Sequence, residues 1–336
     1  GEIILSKMGD PVARATLIPD GQHRYLMASD GIRLSVDNER FSTKFVLESV
    51  NHSSFRTQAQ LASTGTTRQR IGLNELRGLR ISVPPLVEQE KIADILTSVD
   101  DTIEHTQTQV AKLQDLKTAT MNELLTKGIG HTEFKESEVG LIPTTWAVSS
   151  IGGSLQKVID NRGKTPPLSV RGIELIEVAS VSGDHSKVLY ENVSKFVTLE
   201  TYEEWFRNGH PEAGDILVPT VGSIGRFSLV NYSRGCIAQN LVALRPDTEV
   251  IDSRFLFMVL SHHYVQRGIS RILMGAVQPS LRVPQFLDLK IPLPSLEEQE
   301  NIEKTYFAIE DQIEAVESKL VQLEALKKSL MGDLLT

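Results

Sequence analysis

The sequence predicts an α+β protein in which two globular domains are joined by two long antiparallel coiled-coil helices, the whole forming a pseudo-twofold internal repeat. Three observations carry this. A block of 48 residues recurs 210 positions later, both copies hold a heptad of apolar residues, and the segments around them carry short apolar runs of strand type.

Residues 79–126 lie over 289–336 without a gap, with about 18 of 48 positions identical. Shared pairs include Leu79/Leu289, Ile81/Ile291, Pro84/Pro294, Asp101/Asp311, Ile103/Ile313 and Leu113/Leu323, and Glu-Gln-Glu at 88–90 recurs at 298–300. The likeness extends backwards: "FVLESVNH" at 45–52 lies over "FLFMVLSHH" from 255, and "GEIIL" at 1–5 resembles "GDILV" at 214–218 with a three-residue slip. The chain is two copies of one plan.

Each copy closes with a long helix. Ile92, Leu96, Val99, Ile103, Val110, Leu113 and Leu124 fall on alternating steps of four and three, with Thr106, Lys117 and Thr120 at weaker seam positions. Ile302, Tyr306, Ile309, Ile313, Val316, Leu320, Leu323, Leu330 and Leu334 do the same, with Lys327 as the exception. This is a heptad seam, and two matched seams predict helices that pair with each other. Prolines at 84, 85, 292 and 294 mark the approach, and acidic first turns meet the positive end of the helix dipole. Gly128 and Gly130 end the first helix. At 1.5 Å per residue, each helix is about 55 Å long.

The domain plan follows: 1–78 as the first globular domain, 79–127 as the first helix, 128–140 as a polar linker, 141–288 as the second domain and 289–336 as the second helix. Strand-like runs stand at 173–181, 215–221, 227–230 and 241–246, with helices expected at 198–208 and 252–269.

Composition narrows the function classes. The longest apolar runs are far short of a bilayer span, no basic start with an apolar segment suggests export, and Cys236 is the only cysteine, so the expectation is a cytoplasmic protein with no membrane association, internal disulfide or cysteine-based metal site. The net charge of −8 is local. Residues 79–140 hold six Lys+Arg against eleven Asp+Glu and 286–336 hold five against eleven, whereas 1–78 hold ten against eight and 141–285 fourteen against thirteen. The acid belongs to the helices.

A catalytic centre is not legible. "RGKTP" at 162–166 lacks the glycine five positions before Gly163 that a phosphate loop needs; Val158 stands there. "GSIG" at 222–225 is too short for a nucleotide loop, the acid and lysine of "EFK" at 133–135 lack a second acid, and His262 and His263 are neighbours on an expected helix, where side chains diverge. No metal ligands, cofactor or catalytic residues are assigned to this chain.

Basic residues are better patterned. No acid lies between Asp215 and Asp247, where Arg226, Asn231, Tyr232, Arg234 and Arg245 stand, nor from Ser253 to Leu287, which holds Arg254, Arg267, Arg271, Gln278 and Arg282. The first copy repeats this with Arg56, Arg68 and Arg70 between Ser49 and Asn74. Arg162 and Lys164 occupy a Pro- and Gly-rich loop. Arginine, asparagine and glutamine have the donor geometry to hold phosphates and read base edges. Each arginine alone also has the plainer reading of a solvated charge or ion-pair partner, and Trp146 and Trp205 that of packing residues.

Two units running through "GDIL" and "L-x-I-P-L-P-x-x-x-E-Q-x-x-I" into a heptad helix, with "GLIPTTW" opening the second, resemble the specificity subunit of type I restriction-modification systems over essentially the whole chain. The resemblance implies target-recognition-type domains that each read one half of a split sequence in double-stranded DNA. It implies helices that act as a spacer ruler and dock two methylase subunits. S-adenosylmethionine is then carried by the methylase, and motor-nuclease subunits join through the complex. Gly1 aligns with Gly214, so the first domain lacks a counterpart of 141–213 and is expected to be cut at its N-terminal side. The alternatives are a protein-interaction scaffold built on a coiled coil and, further off, an enzyme without a recognisable motif.

Overall fold

The computed structural model describes residues 2–9, 11–19, 25–27, 29–65, 68–181, 186–275 and 279–336. The chain opens with β1 (Ile3–Ser6), β2 (Ala15–Leu17) and β3 (Gly31–Leu34), then α1 (Thr43–Asn51), α2 (Ser53–Leu61), α3 (Leu73–Gly78) and the long α4 (Leu86–Lys127). It continues through β4 (Phe134–Ser137), β5 (Gly140–Pro143), β6 (Ala147–Ser150), β7 (Leu155–Ile159), β8 (Ile173–Ile176), β9 (Lys195–Val197), α5 (Leu199–Glu204), β10 (Ile216–Pro219), β11 (Ser228–Leu229), β12 (Cys236–Ile237) and β13 (Leu241–Pro246). It closes with α6 (Ser253–Ser261), α7 (His263–Ile272), α8 (Val283–Leu287), β14 (Lys290–Leu293) and the long α9 (Leu296–Leu334). Among these residues no helix is long and apolar enough to cross a membrane. The chain forms two compact units, residues 1–112 with 314–336, and residues 113–313, so each long helix contributes to both.

In the first unit β1 is the centre of an antiparallel sheet ordered β2-β1-β3, with Ile3 opposite both Leu17 and Leu34. Its alternation sends Ile3 and Leu5 into a core with Phe45, Val46 and Val50 of α1 and Phe55 of α2. Ile92, Ala93 and Leu96 from the start of α4 join that core, and so does Leu335 from the end of the chain. The end of one long helix meets the start of the other, so the pairing is antiparallel there, with Lys327 Nζ 2.6 Å from Asp100 Oδ1.

In the second unit a four-stranded antiparallel sheet, β11-β10-β13-β7, packs under α6, whose Phe255, Leu256, Phe257, Met258, Val259 and Leu260 are all buried. A smaller sheet, β12-β8-β9, pairs β12 with β8 in parallel. The helices again run antiparallel: Leu125 near the end of α4 shares a core with Ile302 near the start of α9, and Lys117 meets Glu310. Every seam residue predicted above, from Ile92 to Leu323, is buried or half-buried.

Four expectations are refined. Residues 128–140, expected as a polar linker, hold part of a hairpin in which Phe134–Ser137 pairs with Gly140–Pro143. The turn before it is held by Glu298, which accepts hydrogen bonds from the Ile129 amide at 3.1 Å and Trp146 Nε1 at 2.9 Å, with His131 Nε2 at 2.8 Å. Gly128 sits at φ +63, where an added Cβ would come within 2.5 Å of that carboxylate. The expected helix at 252–269 is two helices, since His262 is extended at ψ 143. A straight continuation would drive polar residues of α7 into the core that α6 fills; the break leaves Val265 and Ile269 as the buried face. Pro292, read as part of the helix approach, lies in β14 opposite Val148 of β6. The run at 173–181 is strand only to Ile176, then turns.

The repeated Glu-Gln-Glu words do more than begin a helix. Gln89, 1% exposed, accepts from the Ser42 amide at 3.0 Å and donates to the Pro84 and Arg40 carbonyls at 2.8 and 3.3 Å. Gln299, fully buried, accepts from the Asp252 amide at 2.8 Å and donates to the Pro294 and Val250 carbonyls at 3.0 and 3.1 Å. Ser42 and Asp252 are the N-caps of α1 and α6, so each glutamine latches the start of a long helix to the capped end of a second helix in its own unit.

Candidate nucleic-acid interface

The best-built basic site lies on the loop between β7 and β8. Its anchor is Asn161, 7% exposed, which donates to the Gly209 carbonyl at 2.9 Å and accepts from the Asn208 amide at 3.1 Å; Asn208 in turn donates to the Asp160 carbonyl. Pinning the loop there gathers Arg162 and Lys164 with Trp205, Arg207 and Asn208 around one open cleft. The Arg162 guanidinium holds Asp160 through two hydrogen bonds of 2.8 and 2.7 Å, which lower the Asp160 pKa. A fork so oriented still presents its outer N–H groups to a phosphate or a base. Arg207 and Asn208 escaped the sequence reading. Their signal was the polar "RNG" turn after an amphipathic helix, which gains meaning only once folding sets it beside residues 160–164.

A second group surrounds Arg234. Its Nε and Nη2 both donate to Oε1 of Glu174, whose pKa falls in response, and its guanidinium lies 4.9 Å from the centre of the Tyr190 ring. Tyr232 is 71% exposed and Asn231 is exposed beside it, whereas Arg226 is exposed just past Gly225 at φ +88. A third cleft is lined by Tyr264, Arg267 and Arg271 of α7. Gln278 lies outside the described residues. In the first unit Arg68 is exposed, Arg70 pairs with Asp30, and Arg56 is half-buried and donates to Asn51 Oδ1 at 2.7 Å.

Spans without acids in sequence are not spaces without acids. Glu174 and Asp30 come from elsewhere in the chain to meet Arg234 and Arg70. Arg245 is taken up structurally, held by Asp215 at 2.9 Å and Glu212 at 2.9 Å, with Asp215 only 1% exposed. Arg254 likewise packs over the Phe307 ring and pairs with Glu303 at 3.0 Å. Trp146 is 1% exposed, and Trp205 is half-buried against Phe206.

Reactive groups are muted. Cys236 is fully buried and burial pushes its thiol up to about 12, so it is no nucleophile. His262 is buried and pushed down to about 4 by that burial. Among the described residues no three His, Cys, Asp or Glu side chains converge as metal ligands.

Comparison with known proteins gives a consistent picture. Residues 4–115 and 144–325 match the family model described as the type I restriction modification DNA specificity domain. The type I restriction enzyme MjaVIII specificity subunit of Methanocaldococcus jannaschii is 28% identical, the match covering 100% of this chain and 76% of that protein. The putative MjaX specificity subunit of the same organism is 32% identical, over 82% of this chain and 63% of its own length. The EcoBI specificity subunit of Escherichia coli is 23% identical, over 89% and 66%. Among solved structures, the type I restriction-modification S subunit from M. genitalium superposes with a TM-score of 0.61 at 16% identity, covering 100% of this chain and 83% of that one. A chain from a structure of type I restriction-modification complex assembly does so with a TM-score of 0.61 at 16% identity, over 99% and 81%. At that identity the structures speak for the fold.

Proposed function

We propose, from the premise that this chain belongs to the type I restriction-modification DNA specificity family, that it reads a bipartite sequence in double-stranded DNA, each recognition domain serving one half. As a specificity subunit it is not itself an enzyme. The observation that supports the reading most is the cleft in which Arg162, Lys164, Arg207 and Asn208 are gathered on a loop pinned by a buried asparagine. Cations there would neutralise phosphates, while Asn208 and the free edge of the Arg162 fork have the donors that distinguish base edges.

The long helices take the role of spacer and of docking site for two methylase subunits, which carry S-adenosylmethionine; motor-nuclease subunits join through that complex. Their acidic surfaces suit protein contact and keep them off the phosphate backbone. Exposed leucines at the same position of each repeat, Leu116 at 49% and Leu326 at 48%, offer an apolar anchor for such contact.

The test is selection from randomised DNA with the methylase present, comparing wild type with Arg162→Ala/Lys164→Ala. Expected is selection of two half-sites at one gap by wild type and loss of base preference in one half-site alone by the variant, affinity falling 10-fold or more. Selection of a single continuous site by wild type would end the reading.

A further inference from the structure

Two charges sit in the helical seams where the heptad calls for apolar residues. Lys117 and Lys327 occupy the same position of the repeat, and so do Asp100 and Glu310. In the second unit Lys117 Nζ is 3.0 Å from Glu310 Oε2, the side chains 18% and 7% exposed. In the first, Lys327 Nζ is 2.6 Å from Asp100 Oδ1, at 24% and 39%. One interhelical pair therefore forms twice, once in each unit. Each is also tied to its own domain: Glu48 of α1 lies 3.6 Å from Lys327 Nζ, and Glu310 Oε1 accepts the Ser186 amide at 2.8 Å.

We infer that Lys117–Glu310 and Lys327–Asp100 are register locks of the helical pair, positioning residues that decide which half-site gap the subunit accepts; the second half of this statement rests on the DNA reading above. Sliding one helix along the other by a heptad keeps apolar residues opposite apolar residues, so the apolar seam discriminates poorly between alignments. The charges discriminate well. One heptad in one direction sets Glu310 against Leu124 and Asp100 against Leu334, and in the other direction against Val110 and Leu320. Lys327 meets Gln107 or Ala93 instead of an acid, and only Lys117 finds a substitute, in Glu317 or Glu303. A half-buried carboxylate stripped of its lysine and faced with leucine is strongly disfavoured, whereas the intact pair adds little over two well-packed apolar residues. The pair's contribution is therefore choice of alignment rather than bulk stability. A heptad is about 10.5 Å of helix, equal to about three base pairs at 3.4 Å each.

The experiment uses the full chain with Cys236→Ser and two cysteine pairs at half-buried seam positions: Ile103→Cys/Leu323→Cys, opposite each other in the observed register, and Ile103→Cys/Leu330→Cys, opposite after a slip of one heptad. Oxidation is followed in wild-type charge background, in a neutral background (Glu48→Gln, Asp100→Leu, Lys117→Leu, Glu310→Gln, Lys327→Leu) and in a swapped background (Asp100→Lys, Lys117→Glu, Glu310→Lys, Lys327→Asp). Expected is cross-linking of the first pair alone in the wild-type and swapped backgrounds, and of both pairs at comparable yield in the neutral one. Cross-linking of the first pair alone in the neutral background overturns the lock, and the swapped background reports on it separately should the neutral chain fail to fold. Gap selection with the methylase then separates the two claims. With the lock intact, the neutral variant accepts gaps differing by about three base pairs at affinities within about threefold, where wild type accepts one. Wild type that accepts every gap overturns the spacer reading and leaves the lock standing on the cross-links.

Discussion

His262 is buried at the break between α6 and α7, and burial, with His263 and Arg267 nearby, pushes its imidazole down to about 4. The unfolded chain binds that proton near the ordinary 6.5, so between 6.5 and 4 the unfolded state holds more protons and stability falls as the solution is acidified. The contribution is full above pH 6.5 and is lost by about 1.4 kcal/mol per pH unit on the way down to 4. Denaturant unfolding from pH 7.5 to 4.5 should show that slope in wild type and a shallower one in His262→Asn; equal slopes would remove the assignment. Single residues also show where sequence reading stops. Arg162, Arg234 and Arg245 look alike on the page, yet one rims a cleft, one is braced by Glu174 and stacked near Tyr190, and one is consumed by Asp215. Alanine at Arg234 is expected to lower affinity for the second half-site about tenfold, and alanine at Arg245 to act on folding instead, as a lower midpoint in urea, because it leaves buried Asp215 unpaired.

The repeated helix-entry words illustrate the next level up. Glu-Gln-Glu reads as a favourable first turn, and its carboxylates do stand at helix N-termini, but the central glutamine has the larger part. Gln89 and Gln299, each buried, bind one backbone amide and two backbone carbonyls at the helix entry. Gln299→Leu should cost about 2–3 kcal/mol by chemical denaturation, and Gln89→Leu about as much. Gln→Glu at either site, isosteric but without the amide donors, should cost no less; a neutral outcome would mean that water replaces the latch. The hairpin of β4 and β5 was illegible because its polar residues fit a linker equally well; Glu298, from 152 residues further along than Trp146, fixes its base. The helix expected at 252–269 was legible in content but not in its break, since His262 has no local sequence signal for an extended backbone.

For the molecule as a whole, charge is segregated: the long helices carry most of the excess acid behind the net −8, while the recognition domains are near neutral with arginine-rich loops. A total charge of this sign predicts weak non-specific retention on DNA and a specific affinity resting on local contacts. Should six phosphates be neutralised, affinity for the specific site falls roughly 10³-fold between 50 and 200 mM salt, measured by fluorescence titration. A flat salt response would remove phosphate contact from the account.

The sequence by itself determined that there are two copies of one plan, each closing in a long helix with a heptad of apolar residues, because these depend on periodicity and on local backbone chemistry; the structure starts those helices at Leu86 and Leu296. Ile92, Leu96, Ile302 and Ile313 are buried as their spacing requires. It could also exclude the common catalytic motifs, which are local words. Only the tertiary structure decided which cations rim a cleft and which are neutralised, that Arg207 and Asn208 join Arg162, and that Lys117 and Lys327 find Glu310 and Asp100. Those outcomes depend on groups far apart in the chain coming within a few ångströms. Electrostatic and hydrogen-bond energies are set by that separation and by burial, neither of which is written in the order of the residues.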